Sequence, residues 1–295
     1  MIARLSLPAR FSFDAVVRSH GWYDLPPFSY EREAGVLTTF VDVTTGKAAE
    51  VTFRVRNGKL EARGDLDSRA LRAMARRVFS LDLDFSGAQQ SLSSAPELAR
   101  ALDRRGGRML RTPTLFEDAV KMLFTTNCSW AATRGMVERL IALAGVGRRA
   151  FPSAESVAKL STVTLATRVR CGYRAKALHL FAKRVASGQL DLAAWEDPNF
   201  SSQELREAIV AERGFGPYAA EGLMRILGRH DFFALDSWTR QQYRKLYPGP
   251  ASSTDGAIAR RYSRFGAHRG LALWLDMTSG WHPEEGPKTH DPGPK

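Results

Sequence analysis

The sequence predicts an α+β protein, in which an antiparallel β-sheet with helices precedes an all-α domain. Alternation of Val, Thr and Phe with a period of two dominates roughly the first 65 residues, and helical spacing dominates from about residue 114 onward. A basic, glycine-containing segment at residues 104–113 separates the two patterns. We therefore predict domains at residues 1–112 and 113–282, followed by a disordered tail at 283–295 that has no apolar anchor.

In the first domain, three segments have the composition and alternation of strands, namely residues 13–20, 35–43 and 49–64. In the last of them, Val51, Phe53 and Val55 share one face. The Asn57-Gly58 pair predicts a tight turn within this segment, because both residues tolerate the positive φ angles of a two-residue hairpin.

Residues 66–80 change to the spacing of an amphipathic helix. Leu71, Met74, Ala75 and Val78 form its apolar stripe, and either Asp67 or Ser68 is a suitable N-cap.

The second domain consists of predicted helices separated by capping residues and glycines. Thr114 caps the first of them, in which Leu115, Ala119, Met122 and Leu123 lie on one face, and Gly145 ends the second. The predicted helices cover residues 115–127, 129–145, 153–161, 173–188, 202–212, 217–228, 237–247 and 254–278.

The charge of the chain is its most unusual bulk property. Lys and Arg number 43 against 31 Asp and Glu, a formal net charge of +12. Such an excess favours a polyanionic partner, with nucleic acid first and an anionic membrane surface second, although it can also serve solubility alone.

The two cysteines, Cys128 and Cys171, exclude a disulfide framework and any four-cysteine iron–sulfur or zinc site. Both stand in apolar, helix-like contexts, so we expect buried free thiols. The apolar stretch at the N-terminus is too short and too interrupted to be a secretory signal. No apolar run approaches the ~18 residues that span a bilayer. We therefore expect a soluble, cytoplasmic protein of bacterial type with no membrane partner.

A Gly-Phe-Gly turn at residues 214–216 lies between two predicted helices. Glycine there permits backbone conformations closed to other residues and close approach to a ligand. Pro217 opens the second helix, whose free N–H groups would form an anion site suited to a DNA phosphate. The alternative is an ordinary helix–helix turn.

Asp236 stands between apolar residues and the start of the next helix. By itself it is best explained as an N-cap, which is compatible with a catalytic role. The informative feature is the order of elements, in which the helix pair with its glycine turn is followed by an apolar segment and then by the acid.

In this order the sequence resembles the helix–hairpin–helix DNA glycosylase superfamily. The resemblance extends to residues 115–145, similar to the helix pair that opens the catalytic domain, to 171–185, similar to the Gly-Tyr-Arg-Ala helix, and to 262–278, similar to the closing helix. The N-terminal sheet followed by residues 74–84 resembles the extra β domain, with its sheet like that of the TATA-box-binding protein, of the bacterial alkylbase (3-methyladenine) and 8-oxoguanine branches. Together these segments cover roughly residues 10–280.

The resemblance implies a role for the turn and for the acid. Backbone N–H groups of Gly214, Phe215 and Gly216 would hold a DNA phosphate, often with a bound monovalent cation, and no other cofactor is implied. Asp236 would stabilise the positive charge that develops on deoxyribose as the base leaves, and would orient or deprotonate the attacking water. The chain departs from the family's Leu-Pro-Gly by reading Glu212-Arg213-Gly214.

Members that cleave the DNA strand carry a lysine where this sequence has Tyr218. The resemblance therefore implies a monofunctional glycosylase similar to DNA-3-methyladenine glycosylase II, with Tyr218 stacking on an extruded base. Packing alone is the alternative role for Tyr218. Trp238 would line the base pocket or belong to the core, and we expect Trp130 and Tyr173 in the core.

Asn127 falls where relatives fill the gap left by the flipped base, and a helix C-cap is its alternative role. Arg174 and Arg240 are among several basic residues expected to be exposed to solvent or to face DNA. The resulting expectation is a monomeric enzyme that removes a damaged base, preferably an alkylated purine, from duplex DNA. The alternatives are an 8-oxoguanine-type glycosylase and a non-catalytic DNA-binding module.

Overall fold

The computed structural model describes residues 1–43, 46–249 and 254–281. The predicted tail at 283–295 lies outside these residues. The described part combines one antiparallel sheet with many helices, which confirms the predicted α+β composition.

The sheet has five strands in the order β1-β5-β4-β3-β2, and every neighbouring pair is antiparallel. The hairpin between β4 and β5 turns at Asn57 and Gly58, whose φ angles are 49° and 68°. Positive φ at both positions is what a primed two-residue turn requires, so the hairpin prediction is confirmed. The strands are β1 (Ile2–Ser6), β2 (Ser29–Glu31), β3 (Val36–Val43), β4 (Lys47–Arg56) and β5 (Lys59–Gly64).

One face of the sheet is covered by helix α2 (Ser68–Val78), which packs on β1 and β5. The helix begins where predicted, because the Asp67 side chain accepts the N–H of Ala70 at 2.8 Å. Of the three residues predicted to share one face of β4, Val51 and Phe53 are buried, but Val55, near the end of the strand, is 40% exposed.

The predicted strand at residues 13–20 is wrong. Residues Phe13–Val17 form a short helix, α1, whose first turn is capped by the Ser12 hydroxyl accepting from Ala15 N–H. Three consecutive residues of α1 are buried, which alternation on a sheet face would not allow. The two short edge strands of the sheet, β1 and β2, were not predicted from the sequence pattern.

Nearly all of the remaining structure is helical. The further α-helices are α3 (Ser86–Leu92), α4 (Pro96–Arg105), α5 (Leu115–Thr125), α6 (Trp130–Ala144), α7 (Ala154–Ala158), α8 (Thr162–Thr164), α9 (Arg174–Ala186), α10 (Ser202–Ala211), α11 (Pro217–Ile226), α12 (Ser237–Leu246), α13 (Asp255–Tyr262) and α14 (Arg269–Met277).

Two helical predictions need correction. The single helix expected over residues 254–278 is two helices, because Gly266 (φ 55°, ψ −126°) interrupts the intervening 3-10 segment. Helix α5 is buried on all sides instead of along one face, since every residue from Leu115 to Phe124 is buried.

The apolar interior forms two clusters. The larger joins the inner face of the sheet and α2 to helices of the second half of the chain, from α5 to α11. The smaller joins α3 and α4 to α12, α13 and α14. Each cluster thus contains residues from both sides of position 112, and the domain boundary proposed there stays a prediction.

Candidate active site

A cavity of about 220 Å³ opens where the segment after α1 meets α5, α11, the start of α12 and the end of the described chain. Three of the residues singled out in the sequence line it, namely Asp236, Tyr218 and Trp238. The other lining residues are His20, Gly21, Trp22, Met109, Met122, Thr125, Cys128, Trp130, Thr133, Gly222, Arg225, Ile226, Ala234, Thr239, Trp274 and Trp281.

Asp236 lies at the N-terminus of α12 and is its N-cap. One carboxylate oxygen, Oδ1, accepts the N–H of Thr239 at 2.6 Å. This bond fixes the orientation of the side chain. The N-cap role expected from the sequence therefore coexists with a position in the cavity wall, where Asp236 is half-buried.

Tyr218, in the first turn of α11, is a direct neighbour of Asp236 across the cavity. Burial raises the pKa of the Tyr218 phenol, and the charge of Asp236 and a hydrogen bond with its carboxylate raise it further. The phenol therefore stays protonated, and its O–H can donate a hydrogen bond to the carboxylate. A hydrogen bond with Thr125 acts in the opposite direction.

Trp238 belongs to a cluster of three indoles at one end of the cavity. Its ring centroid lies 5.8 Å from that of Trp274 and 5.4 Å from that of Trp281, and these two lie 5.6 Å apart. All three residues line the cavity, so Trp238 is both part of an apolar cluster and part of the pocket wall.

The Gly-Phe-Gly turn connects α10 to α11 as predicted. Gly214 has φ +93°, and a Cβ there would lie 2.6 Å from the Cβ of Ala177. Glycine is thus required by the backbone conformation and by the close approach to α9. Phe215 points inward, is 1% exposed, and packs on Phe181 with ring centroids 5.1 Å apart.

Two details of the turn differ from the sequence prediction. Gly216 has φ −73°, an ordinary conformation, so glycine is not needed there for backbone strain. Instead, a Cβ at this exposed position would meet nothing within 4 Å, which leaves the backbone open to close approach. The N–H of Phe215 already donates to the carbonyl of Glu212 at 3.1 Å, which leaves it committed within the turn.

The N-terminus of α11 follows Gly216 directly. Gly216 is its N-cap without a side-chain cap, and Pro217 is in its first turn. The first N–H groups of a helix have no intrahelical partner, so this end can accept an anion. The turn's backbone and the cavity are thus joined by one helix, because Tyr218 of the same first turn lines the cavity.

Asn127 is exposed and lies two residues after α5, in the left-handed conformation with φ +46°. The C-cap of α5 is Thr126, so Asn127 is not the cap. Its amide donates to the hydroxyl of Tyr173 at 3.4 Å. Tyr173, expected in the core, is 68% exposed, whereas Arg174, expected on the surface, is buried against Thr126.

Arg240 on α12 lies outside the cavity. Both of its terminal contacts go to exposed Asp255, from Nε at 2.7 Å and from an Nη atom at 3.0 Å. Arg244 and Lys245, one turn further on, are exposed.

Several cavity residues were not identified from the sequence. His20 follows α1, Arg225 lies in the last turn of α11, and Trp274 and Trp281 come from the end of the chain. Trp130, expected in the core, lines the cavity and donates from Nε1 to Asp24 at 2.7 Å. No local motif marks these residues, because they come together only through tertiary packing.

Of the two cysteines, Cys171 is buried as expected, and burial raises its thiol pKa to about 11. Cys128 is half-buried and lines the cavity. Within the described residues, no cluster of three or more His, Cys, Asp or Glu could hold a metal ion. None of the described helices has the length and apolar character needed to cross a membrane.

Comparison with known proteins identifies the fold. The chain aligns over 96% of its length with 99% of an 8-oxoguanine glycosylase/lyase from Clostridium acetobutylicum bound to DNA (TM-score 0.71, 16% identity). It aligns over 94% of its length with 98% of a 3-methyladenine DNA-glycosylase from Archaeoglobus fulgidus (TM-score 0.70, 20% identity). A 3-methyladenine DNA glycosylase from Schizosaccharomyces pombe in complex with abasic DNA matches 67% of this chain (TM-score 0.52, 19% identity).

No protein-family model matches the sequence, and no curated protein matches it. The solved structures share the fold of this chain at low identity. They confirm, at the level of fold, the resemblance to the helix–hairpin–helix glycosylases, and both branches named from the sequence are among them.

Proposed function

We propose that the protein is a monofunctional DNA N-glycosylase, which flips a damaged base out of duplex DNA and hydrolyses its bond to deoxyribose at Asp236. The observation that carries the proposal is the position of Asp236. Its carboxylate is oriented by the N-terminus of α12 in the wall of a mainly apolar cavity, and α11 connects that cavity to the glycine turn.

The proposed chemistry follows from the charge that develops during base loss. Departure of the base leaves oxocarbenium character on the sugar, which a fixed carboxylate stabilises most strongly where water is excluded. The same carboxylate can orient or deprotonate a water molecule that attacks the sugar. A hydrogen bond from the Tyr218 hydroxyl to Asp236 lowers the cost of holding the carboxylate beside indole rings.

Tyr218 also supports a reaction with water and no strand cleavage. A covalent Schiff-base mechanism needs a lysine amine at the sugar. In the part of the chain that the structure describes, no lysine lines the cavity. The family resemblance implies in addition that Tyr218 stands where members that cleave the strand carry a lysine.

Duplex DNA is the proposed partner, in agreement with the net charge of +12. We propose that the backbone at Gly214 and Gly216 binds a phosphate, with the committed Phe215 N–H helping to shape the turn. Asn127, which is exposed two residues after α5, would contact the site vacated by the flipped base. Arg240 would add charge along the same DNA.

The further details remain predictions. A monovalent cation, if one binds, would be held by backbone carbonyl oxygens of the turn, and the reaction needs no other cofactor. We propose a cytoplasmic monomer. The sequence favours an alkylated purine as the lesion and keeps 8-oxoguanine as the alternative, whereas a non-catalytic DNA-binding module would use the turn alone.

The test is base release from duplexes that each carry one defined alkylated, oxidised or deaminated base, with abasic sites then cleaved by alkali. We expect Asp236→Asn to lose about 10²–10³-fold in the single-turnover rate, as loss of an electrostatic stabiliser usually does. Asparagine also accepts the cap hydrogen bond, so folding and DNA affinity should be kept.

The matched control is Asp67→Asn, the same change at an exposed N-cap, that of α2, outside the cavity. It should release bases at the wild-type rate. No release by the wild type from any duplex would contradict the enzyme and favour the binding module. A covalent adduct trapped by borohydride would contradict the monofunctional mechanism.

A further inference from the structure

Arg225 is a cation in the cavity that has no anionic partner among the described residues. It lies in the last turn of α11, and its guanidinium stacks on the indole of Trp274 at 4.2 Å from the ring centroid. No ion pair or hydrogen bond to a described residue engages it. It lies seven residues after Tyr218 on the same helix, and both residues line the cavity.

The carboxylates near Arg225 are committed elsewhere. Glu221 pairs with Arg206 at 2.9 Å and also accepts the N–H of Ala234 at 3.0 Å. Asp236 accepts the N–H of Thr239 and lies beyond ion-pair distance of Arg225. Burial lowers the pKa of Arg225, while Coulombic interactions with Tyr218, Asp236 and Glu221 raise it. A guanidinium stays protonated even so, because its reference pKa is very high.

His20 adds an uncharged polar group to the same cavity. Burial and the neighbouring charges of Arg225 and Lys121 lower its pKa to about 3. Its Nδ1 lies 3.0 Å from the hydroxyl of Ser19, which already accepts the N–H of Leu110 at 2.9 Å. Donation by the Ser19 hydroxyl to Nδ1 satisfies these groups and leaves the proton on Nε2, a buried atom bonded to no described group.

We propose, on the basis of the function proposed above, that Arg225 makes this cavity select an uncharged oxopurine, such as 8-oxoguanine or hypoxanthine, and reject a purine made cationic by alkylation. Arg225 is thus a specificity-determining residue. The proposal replaces the alkylated-purine preference of the sequence with a preference for purine lesions that carry no positive charge.

Two physical effects act in the same direction. A second positive charge within a few ångströms of an unpaired guanidinium, away from bulk water, is repelled far more strongly than in solution. The guanidinium carries only donors, so it binds bases whose edges carry carbonyl oxygens or ring-nitrogen acceptors. A purinium edge at the alkylated nitrogen offers no acceptor there.

Stacking is affected as well. One face of Trp274 is already covered by the guanidinium, which takes from the cavity an aromatic surface that would otherwise attract a cationic base. The planar guanidinium itself presents a stacking surface, which suits a neutral ring better than a charged one.

The experiment measures equilibrium binding, so that it does not depend on turnover. The probes are duplexes of one sequence that carry either 8-oxoguanine, hypoxanthine or 7-methylguanine, each on a 2′-fluoro sugar that resists cleavage, together with an unmodified duplex. We expect the wild type to bind each oxopurine duplex at least tenfold more tightly than the cationic 7-methylguanine duplex.

Arg225→Met removes the charge and keeps an unbranched side chain against Trp274. We expect it to bring the three lesion duplexes within about threefold of one another. Arg225→Lys keeps the charge without the planar fork, so it should still reject 7-methylguanine but bind oxopurines more weakly. Arg244→Met is the matched control, because it removes one exposed cation of α12 and should weaken all duplexes equally.

Equal or tighter binding of 7-methylguanine by the wild type would overturn the proposal, and so would an unchanged preference in Arg225→Met. The outcome is separable from that of the proposed function. If the lesion preference is present but no duplex loses its base, the protein is a lesion-binding module with a charge-selective cavity. If bases are released whether or not they carry a positive charge, the protein is a glycosylase but Arg225 does not determine its specificity.

Discussion

At the scale of single residues, Asp236 shows that a structural role and a proposed chemical role can belong to one side chain. Its cap bond to Thr239 fixes the carboxylate, and the cavity supplies the environment in which that carboxylate can act. The same carboxylate can therefore cap α12 and face the proposed reaction.

The two glycines of the turn also differ at this scale. Gly214→Ala should cost about 1–3 kcal/mol of unfolding free energy, since alanine is strained at φ +93° and its Cβ would clash with Ala177. Gly216→Ala should cost less than about 1 kcal/mol, because its φ is ordinary and its surroundings are open. Urea denaturation measures both.

Duplex affinity then separates packing from contact. If Gly216 allows a phosphate to approach the backbone, Gly216→Ala should weaken DNA binding while stability hardly changes. Equal unfolding free energies for the two variants would show that the turn is not constrained as described.

At the scale of elements, α5 acts as the centre of the molecule. Its Asp118 is completely buried, with one oxygen accepting from Trp22 Nε1 and Thr112 N–H, both at 2.9 Å, and the other pairing with Arg77 at 2.9 Å. These partners come from the segment after α1, the linker and α2. Burial raises the pKa of Asp118, while the charge of Arg77 and the hydrogen bonds lower it.

Removal of this carboxylate should therefore loosen several elements at once. We expect Asp118→Ala to cost about 3–5 kcal/mol of unfolding free energy, because the Trp22 Nε1–H and the Thr112 N–H lose their buried acceptor and Arg77 keeps only its more exposed partner, Glu196. The control is Asp82→Ala, which breaks an exposed pair with Arg76 and should cost at most about 1 kcal/mol. Similar losses in guanidinium denaturation would contradict the central role of α5.

At the scale of the whole molecule, residues from distant parts of the described chain meet at one cavity. The segment after α1 supplies His20, the hairpin helix supplies Tyr218 and Arg225, and the end of the described chain supplies Trp274 and Trp281. Cutting the chain into two independent halves would divide this cavity and both apolar clusters.

Global stability should depend on pH through His230, which is buried where α14 crosses the segment before α12. Burial, with the nearby charges of Arg225, His268 and Arg111, lowers its pKa from 6.5 to about 3, and neither ring nitrogen has a described partner. The unfolded chain binds a proton near pH 6.5 and the folded chain does not. The contribution of uncharged His230 to the free energy of unfolding is therefore fully present above pH 6.5. It is lost as the pH decreases toward 3, by up to about 1.4 kcal/mol per pH unit.

We expect His230→Leu to make this acid slope shallower by up to that amount between pH 6 and 4. Thermal or urea denaturation at a series of pH values measures the slope. His20, with its pKa also lowered to about 3, should keep part of it. A variant slope equal to that of the wild type would exclude His230 as a source of the acid sensitivity.

Local patterns predicted many of the elements, because their signals are local. The Asn57-Gly58 hairpin, the Thr114 cap of α5 and the helix pair around Gly214 were all visible in the sequence. The strand predicted at residues 13–20 failed for the opposite reason. Its β-branched residues pack as a helix because Ser12 caps them and the core buries them consecutively.

By itself the sequence determined the α+β composition, the glycine turn and its spacing from Asp236, since backbone conformation and helix capping depend on neighbouring residues. Only the tertiary structure decided which side chains share the cavity. His20, Arg225 and Trp274 are brought together by long-range packing, which leaves no periodicity in the chain. The charge of the cavity, and with it the proposed choice of base, therefore depends on residues that no local pattern could have connected.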